Sequence, residues 1–519
     1  MILFFRSKAN IVYAIGMEQP FQNSEIQQLK WLLGDADPVV EKQLTGFFIG
    51  PRKEMITPWS TNAVEITQTM GIKGISRIEE FKEVANAEVK HDRMLELLYQ
   101  TLDQDLFTIH HIPEPIIEID DIASYSKKEG LALATEEIEY LNNVSKELGR
   151  KLTDSEVFGF SQVNSEHCRH KIFNGTFIID DQQKEYTLFQ LIKQTSKANP
   201  NFIVSAYKDN VAFIKGPRVE QFAPTRQDVP DYFAVTDYDS VISLKAETHN
   251  FPTTVEPFNG AATGSGGEIR DRLAGGKGSL PLAGTAVYMT SYPRLENGRP
   301  WEKKFEARKW LYQSPAEILI KASDGASDFG NKFGQPLING SLLTFEYIGE
   351  KKYGFDKVIM QAGGIGFGKE KDSKKDPLQK GDKIVLLGGD NYRIGMGGGA
   401  VSSVATGEYG NAIELNAIQR SNPEMQKRVM NAIRAMVEDE QNPIALIHDH
   451  GAGGHLNCFS ELLEETGGEI HIDKLPVGDP TLSDKEIISN ESQERIGIAM
   501  HGKHLDKLVK VAERERAPI

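Results

Sequence analysis

Residues Lys245–Asp271 read KAETHNFPTTVEPFNGAATGSGGEIRD, the densest concentration of reactive and phosphate-binding residue types in the chain. A β-favouring run, SVISLKAETHN from Ser240, feeds into it and predicts a strand. Glycine lets backbone N–H groups approach oxyanions closely, so Gly260–Gly267 reads as a loop that cradles phosphates. Lys245 and Arg270 supply fixed positive charge, Arg270 as a planar fork. Glu247 and Asp271 are hard oxygen donors of the kind that hold Mg²⁺ together with substrate phosphates. A tight surface loop with an ordinary ion pair accounts for the same composition, and both readings stand at this point.

On either side lie further polar clusters. NSEHCRHK, from Asn164, places His167 and His170 at i, i+3, where one helical turn would face both toward one site. A neutral imidazole there accepts or delivers a proton near pH 7, while the plain alternative is a hydrogen-bonded cap. In IHDHGAGGH, Asp449 ends an apolar strand just before glycines, a simple way to aim a carboxylate at a metal. Glu491, Ser492 and Gln493 precede the strand-like ERIGIAM, and Gln419 carries no independent signal. GGKGS from Gly275 is not a Walker A loop, since Gly278 follows the lysine where Ser or Thr is needed. Gly395–Ala400 fits the G-x-G-x-x-A dinucleotide fingerprint, but GGDNYRI separates it from the strand KIVLL. Neither Cys168 nor Cys458 has the G-x-C-x-G elbow of a glutaminase.

Composition bounds the rest. The 519 residues suggest roughly three domains. With 59 Lys and Arg against 74 Asp and Glu, the net charge of −15 argues against a general nucleic-acid binder. Two cysteines are too few for a disulfide framework, which points to a reducing cytoplasm. Arg6 and Lys8 interrupt the apolar N-terminus, so it is not read as a signal peptide, and no run approaches the ~20 apolar residues of a membrane span. Residues 1–121 read as a small α+β domain. Its expected elements are strands Ile2–Phe5 and Ile11–Ile15, a helix from a capping box at Ser24–Gln27 to Gly34, a strand at GFFIG from Gly46, and a helix over Glu88–Leu102. Residues 122–201 read as a mostly helical linker, with a helix from Thr135 to Gly149 and a second capping box at Thr153–Glu156. Residues 202–375 are β-rich, and 376–519 read as an α/β domain entered through the charged stretch GKEKDSKKDPLQKGD. The chain stops at ERERAPI with no closing element expected, which reads as a truncation.

Five motifs in order, SEHCRHK from Ser165, KAETHNFPT from Lys245, GAATGSGGEIRD from Gly260, HDHGAGG from His448 and ESQER from Glu491, resemble the large single-chain form of phosphoribosylformylglycinamidine synthase. The resemblance implies an α+β and α/β multidomain fold: an accessory-subunit-like N-terminal domain, a helical linker, and one half of an aminoimidazole ribonucleotide synthetase-like fold. It implies ATP-dependent amidation of formylglycinamide ribonucleotide with glutamine-derived ammonia, through an iminophosphate, with Mg²⁺ as cofactor. His167 and His249 are then the catalytic candidates. His170 and Lys245 approach ATP, together with Gly260, Ala261, Ala262, Thr263, Gly264, Ser265, Gly266, Gly267, Glu268, Ile269, Arg270 and Asp271. Thr248, His249, Asn250, Phe251, Arg270, Gln419, Glu491, Ser492 and Gln493 contact the ribonucleotide, and Glu247, Asp271 and Asp449 hold Mg²⁺. Phe251 stands where the small form has a second histidine, which removes acid–base duty from that position. The second half and the glutaminase are absent, so the piece is expected to be inactive alone and to self-associate through the face meant for its twin. The alternatives are a related ATP-using synthetase, a nucleotide-binding scaffold without catalysis and, more distantly, a nicotinamide oxidoreductase.

Overall fold

The computed structural model describes all residues except 94, 111, 296–298, 303–312, 356, 405–410 and 493, and leaves the side chains of 411, 412 and 414 undescribed. Contacts divide the chain into two compact units. The first comprises Met1–Pro115 with Asp390–Arg393 and Pro476–Ser483, and the second comprises Ile116–Gly389, Ile394–Leu475 and Asp484–Ile519.

The first unit is a six-stranded antiparallel sheet in the order β3-β1-β2-β5-β4-β6. The strands are β1 (Ile2–Arg6), β2 (Ile11–Met17), β3 (Asp37–Val39), β4 (Leu44–Pro51), β5 (Ile75–Val84) and β6 (Glu96–Leu102). Alternation along β1 and β2 sends Phe4, Val12 and Ala14 to one core. Phe5 and Ile15 go to the other, under α1 (Asn23–Leu32) and α2 (Pro58–Thr69). The helix expected over Glu88–Leu102 is corrected here, because its second half is β6, with Leu98 opposite Ile49 of β4. The leucines fit a 3.6 period, but Tyr99 and Thr101 favour a strand and β4 offers an unpaired edge. The first capping box also sits two residues earlier than expected: the Glu25 carboxylate accepts the Gln22 N–H at 2.7 Å.

The second unit begins with α3 (Ile122–Glu129), α4 (Thr135–Leu148) and α5 (Asp154–Val163). These helices bury Tyr125, Leu141, Val157 and Phe158 among themselves. Gly149 ends α4 with φ 66°, and the Thr153–Glu156 box caps α5, both as the sequence predicts. Two short helices follow, α6 (Glu166–Arg169) and α7 (Lys171–Asn174), then a hairpin of β7 (Ile178–Ile179) and β8 (Gln182–Gln183), and α8 (Leu188–Ala198). The main sheet runs β13-β12-β16-β11-β10-β9. It is built from β9 (Ile203–Ser205), β10 (Ala212–Pro224), β11 (Phe233–Thr248), β12 (Leu280–Thr290), β13 (Leu337–Thr344) and β16 (Ile359–Lys369). The hairpin β14 (Glu346–Ile348) and β15 (Lys352–Gly354) precedes β16.

Helices α9 (Asn250–Val255), α10 (Pro257–Leu273) and α11 (Pro315–Phe333) connect these strands. Residues of α10 and α11 cover one sheet face, packing on Ala286, Tyr288, Met360 and Ala362. A third sheet, β17-β19-β18, holds β17 (Asp382–Gly388), β18 (Ile444–Asp449) and β19 (Arg495–His501). Around it stand α12 (Gly398–Val401), α13 (Asn411–Asn416), α14 (Pro423–Glu438), α15 (Gly454–Leu462), α16 (Asp484–Ser489) and α17 (Leu505–Glu515). One core runs from Ile269 and Leu273 of α10 through Phe329 and Val429 to Ile498 and Leu508. The C-terminal stretch expected to lack a closing element is therefore the end of a packed helix, α17. Among the described residues no helix is long and apolar enough to cross a membrane.

The main correction concerns Gly260–Gly267. This is the interior of α10, not a loop. Its glycines cost helix propensity, roughly 1 kcal/mol each, and at Gly260 and Gly264 the missing side chain permits close approach. A Cβ on Gly260 would lie 2.4 Å from the Pro252 carbonyl carbon, and one on Gly264 2.9 Å from His249 Cβ. Backbone N–H groups in a helix interior are already bonded to carbonyls one turn back, so this segment cannot wrap a phosphate with its amides.

Candidate active site

Within the second unit a cavity of about 630 Å³ gathers side chains from the ends of β11 and β18, from α6, α9, α10 and α12, and from the segment before β19. Lys245 and Glu247 are two residues apart on β11 and therefore share a face. The Lys245 ammonium lies 3.0 Å from Glu247 and 2.7 Å from Asp271, the latter at the end of α10. The Asn210 amide donates to Asp271 at 3.2 Å and to Asp449, at the end of β18, at 2.9 Å. Arg270 Nε is 4.0 Å from Asp449, and Arg270 Nη1 donates to Gln426 at 2.9 Å. Three carboxylates from separate elements thus converge on two shared partners.

Electrostatics follows from this crowding. Burial works against the Lys245 charge, yet Asp271 and Glu247 together hold its pKa above the lysine range. Burial lifts Asp271, with Lys245 offsetting part of the rise. Burial and then the Asp271 charge push Asp449 up to about 6. The donors are all oxygen and mutually repelling, a chemistry that fits a hard divalent cation. The set is not preassembled for one: among the described residues no group of three or more His, Cys, Asp or Glu side chains is arranged to hold a metal ion. Lys245 and Asn210 stand between the carboxylates instead.

His167 opens into the cavity from α6, its backbone N–H 3.4 Å from Ser403 Oγ. The expectation that His167 and His170 share one helical turn is corrected. His170 has φ 49° and breaks the chain between α6 and α7, though both rings still line the cavity. Surrounding protein lowers the His167 pKa, and burial lowers that of His249 to about 4. Both are neutral at pH 7. His249 Nδ1 is buried with no hydrogen-bond partner among the described residues.

At the far wall Glu491 is fully enclosed. Gln419 donates to it, and so does the Gly453 N–H at 3.4 Å. Burial raises its pKa to about 8, so it is largely protonated at pH 7. A Cβ on Gly398 would lie 2.7 Å from the Glu491 carboxylate. Gly395 and Gly398 therefore make room for this side chain, and the helix that these glycines open, α12, is only 4 residues long.

The cavity brings together His167, His170, Lys245, Glu247, Thr248, His249, Asn250, Phe251, Arg270, Asp271, Gln419, Asp449 and Glu491. Of the glycine-rich stretch only Thr263, Gly264 and Gly267 join them, with Arg270 and Asp271 on the same face of α10 at helical spacing. Gly260, Ala261, Ala262, Ser265, Gly266, Glu268 and Ile269 face away from the cavity, and Glu268 is consumed by buried contacts with Arg272 and Gln335. Ser492 is buried outside the lining, and Gln493 lies outside the described residues. Asn250 spends its side-chain oxygen on the Met360 N–H at 3.1 Å. Sequence reasoning missed Asn210, His448 and Glu461. His448 pairs closely with Glu461 and bonds the Asp449 carbonyl at 2.9 Å. Asn457 and Glu461, both on the cavity wall and at i, i+4 on α15, were a readable signal; Asn210, in a turn before β10, had none beyond its polarity.

Three family models match the chain. The formylglycinamide ribonucleotide amidotransferase N-terminal model covers residues 10–107, the linker model of the same family covers 122–171, and the AIR synthase related protein C-terminal domain covers 379–519. Among solved structures, Thermotoga maritima PurL complexed with FGAR is 24% identical at TM-score 0.50, over 73% of this chain and 50% of that one. The same protein complexed with ATP is 23% identical at TM-score 0.46, over 73% and 49%. The chain thus spans about half the length of the solved structures it matches. Its architecture, an N-terminal domain, a helical linker and an AIR-synthase-like C-terminal region, is that of these proteins.

Proposed function

Since the chain carries the N-terminal and linker domains of formylglycinamide ribonucleotide amidotransferase and an AIR-synthase-related C-terminal domain, we propose that it serves the ATP-dependent amidation of formylglycinamide ribonucleotide to formylglycinamidine ribonucleotide. The observation that carries this reading is the convergence of His167, Lys245, Asp271 and Asp449, from four separate elements, on one cavity. In the reaction the substrate's amide oxygen attacks the γ-phosphorus of ATP and ADP leaves. Ammonia, supplied by a glutaminase, then adds to the activated carbon, and phosphate departs as the amidine forms.

The residues divide this work by charge. His167 and His249, neutral at pH 7, are suited to accept the proton that ammonia loses on attack. Lys245 and His170 meet the nucleotide phosphates, with Arg270 fixed by Gln426 and aimed along the same wall. Glu491, protonated, and Gln419 offer neutral hydrogen bonds to the ribonucleotide, and Thr248–Phe251 border it. Glu247, Asp271 and Asp449 would hold Mg²⁺, which when bound neutralises charge on the transferring phosphoryl group. The reaction belongs to the cytoplasm. The sheet face opposite α10 and α11 is proposed to meet a twin, a second copy of this chain.

Calorimetric titration of the chain with Mg-ATP and with formylglycinamide ribonucleotide, separately, tests the reading. Saturable binding of both is expected; binding of neither overturns it. In a glutamine-dependent assembly that includes this chain, His167→Ala should cost about 10²–10⁴ in kcat. A variant as active as the parent would remove His167 from the mechanism.

A further inference from the structure

Two cations stand near the carboxylate cluster, and they differ in freedom. Arg270 is 2% exposed, 4.0 Å from Asp449, and its guanidinium is bonded to Gln426 of α14. Lys245 is a compact ammonium on a flexible stem, between Glu247 at 3.0 Å and Asp271 at 2.7 Å. It also sits in the wall between the 630 Å³ cavity and an adjoining one of about 1410 Å³, lining both. The second cavity gives the side chain somewhere to go. Asn210, the other bridge, brings only an amide dipole to Asp271 and Asp449.

We propose that the Lys245 ammonium is the resident counter-ion of the carboxylate set, occupying in the free protein the place that a divalent cation takes, and leaving it when the cation arrives. The inference rests on the metal assignment made above. A divalent ion within bonding distance of Glu247 and Asp271 would lie close to the ammonium, and like charges at a few ångströms repel by several kcal/mol at the effective dielectric of a protein interior. Both therefore cannot keep their places. The reverse also follows: with neither the ammonium nor the divalent ion in place, Glu247 and Asp271 would lose the cation that lies between them, while Asp449 would keep Arg270, 4.0 Å away, and the Asn210 amide. The exchange has a functional consequence. An ammonium released by the metal is free to take a phosphate oxygen, so metal and nucleotide favour each other's binding although they need not touch the same atoms.

Two measurements test this, and neither reads activity. The first is Mn²⁺ binding, followed by the electron paramagnetic resonance of the free ion, without nucleotide, for the parent chain and for Lys245→Gln. Losing the competitor should tighten Mn²⁺ binding about tenfold, within the usual range of site–site coupling, with circular dichroism confirming the fold. Equal or weaker binding by the folded variant overturns the proposal. The second uses the parent chain alone, so it stands even if the variant misfolds. Acetylation of Lys245 by acetic anhydride, mapped by mass spectrometry, should rise with Mn²⁺ occupancy as the ammonium leaves its carboxylates; a constant or falling yield overturns the exchange. Absence of Mn²⁺ binding in both proteins would instead sink the metal assignment itself.

Discussion

At the scale of single residues, the site is a set of ionisable groups held where they are least stable. Asp449 is the sharpest case. Its pKa in the fold, about 6, lies above the ~3.9 of an exposed aspartate because burial and Asp271 oppose its charge. A carboxyl raised in the fold contributes its stability when protonated, so that stability is present below the unfolded pKa and lost as pH rises through about 6. Asp449→Asn keeps the Asn210 contact and drops the charge, so it should stabilise the chain at pH 8 by roughly 2 kcal/mol. The gain should shrink as pH falls to 5; thermal unfolding at the two pH values measures it, and a destabilised variant at pH 8 would contradict the account. Glu491 offers the complementary case. Protonated below about 8, it presents a neutral hydrogen-bonding group, so ribonucleotide affinity should fall as pH climbs through 8. Glu491→Gln should retain affinity at pH 7 and flatten that profile in calorimetry. Residue types at this scale were legible: a lysine, two carboxylates and a histidine in one short run announced a site. Which hydrogen bonds each would make was not, because Asn210 and Asp449 are brought to Asp271 only by tertiary folding.

At the scale of elements, local signals were readable where they are self-contained. The Thr153–Glu156 box and the left-handed Gly149 mark α5 and α4 because caps act within one turn. They failed where tertiary packing overrides propensity, as in β6 and, above all, in α10. The glycines of α10 are there for approach and not for bending, and two of them separate the effects. Gly264→Ala gains helix propensity, about 1 kcal/mol, but drives a Cβ to 2.9 Å from His249 Cβ and 3.1 Å from the Met360 sulfur. Net destabilisation of about 1–3 kcal/mol is expected, with His249 displaced. Gly267→Ala meets only Arg270 Nη2, at 3.6 Å, so the propensity gain should survive and the variant should be as stable as the parent or more so. Denaturant unfolding of the pair decides it; equal effects would mean that α10 is not held by close contact.

At the scale of the whole molecule, the sequence revealed a succession of textures, but not which stretches share a core. Segments 390–393 and 476–483 belong to the N-terminal unit although they lie in the C-terminal third of the chain, and short excursions of that kind leave no periodic trace. What does leave a trace is the alternation along β12 and β16. Ala286, Tyr288 and Ala362 point to the helices, so Val287, Met289 and Ile365 point to the opposite face, with Leu343 beside Met289 on β13. Ile365 and Leu343 are exposed, and a mixed sheet that offers apolar residues on the face its helices do not cover is suited to pack against another such face. A twofold partner is the simplest one, since an isologous interface needs only one self-complementary patch. Sedimentation of the chain across a concentration series should therefore show a monomer–dimer equilibrium, and Ile365→Lys should shift it toward monomer by placing a charge at the centre of the contact. The same substitution should leave thermal stability nearly unchanged at low concentration, because the side chain is already solvated there. A clean monomer at the highest concentrations, or a dimer indifferent to Ile365→Lys, would mean that this face carries its apolar residues for another reason.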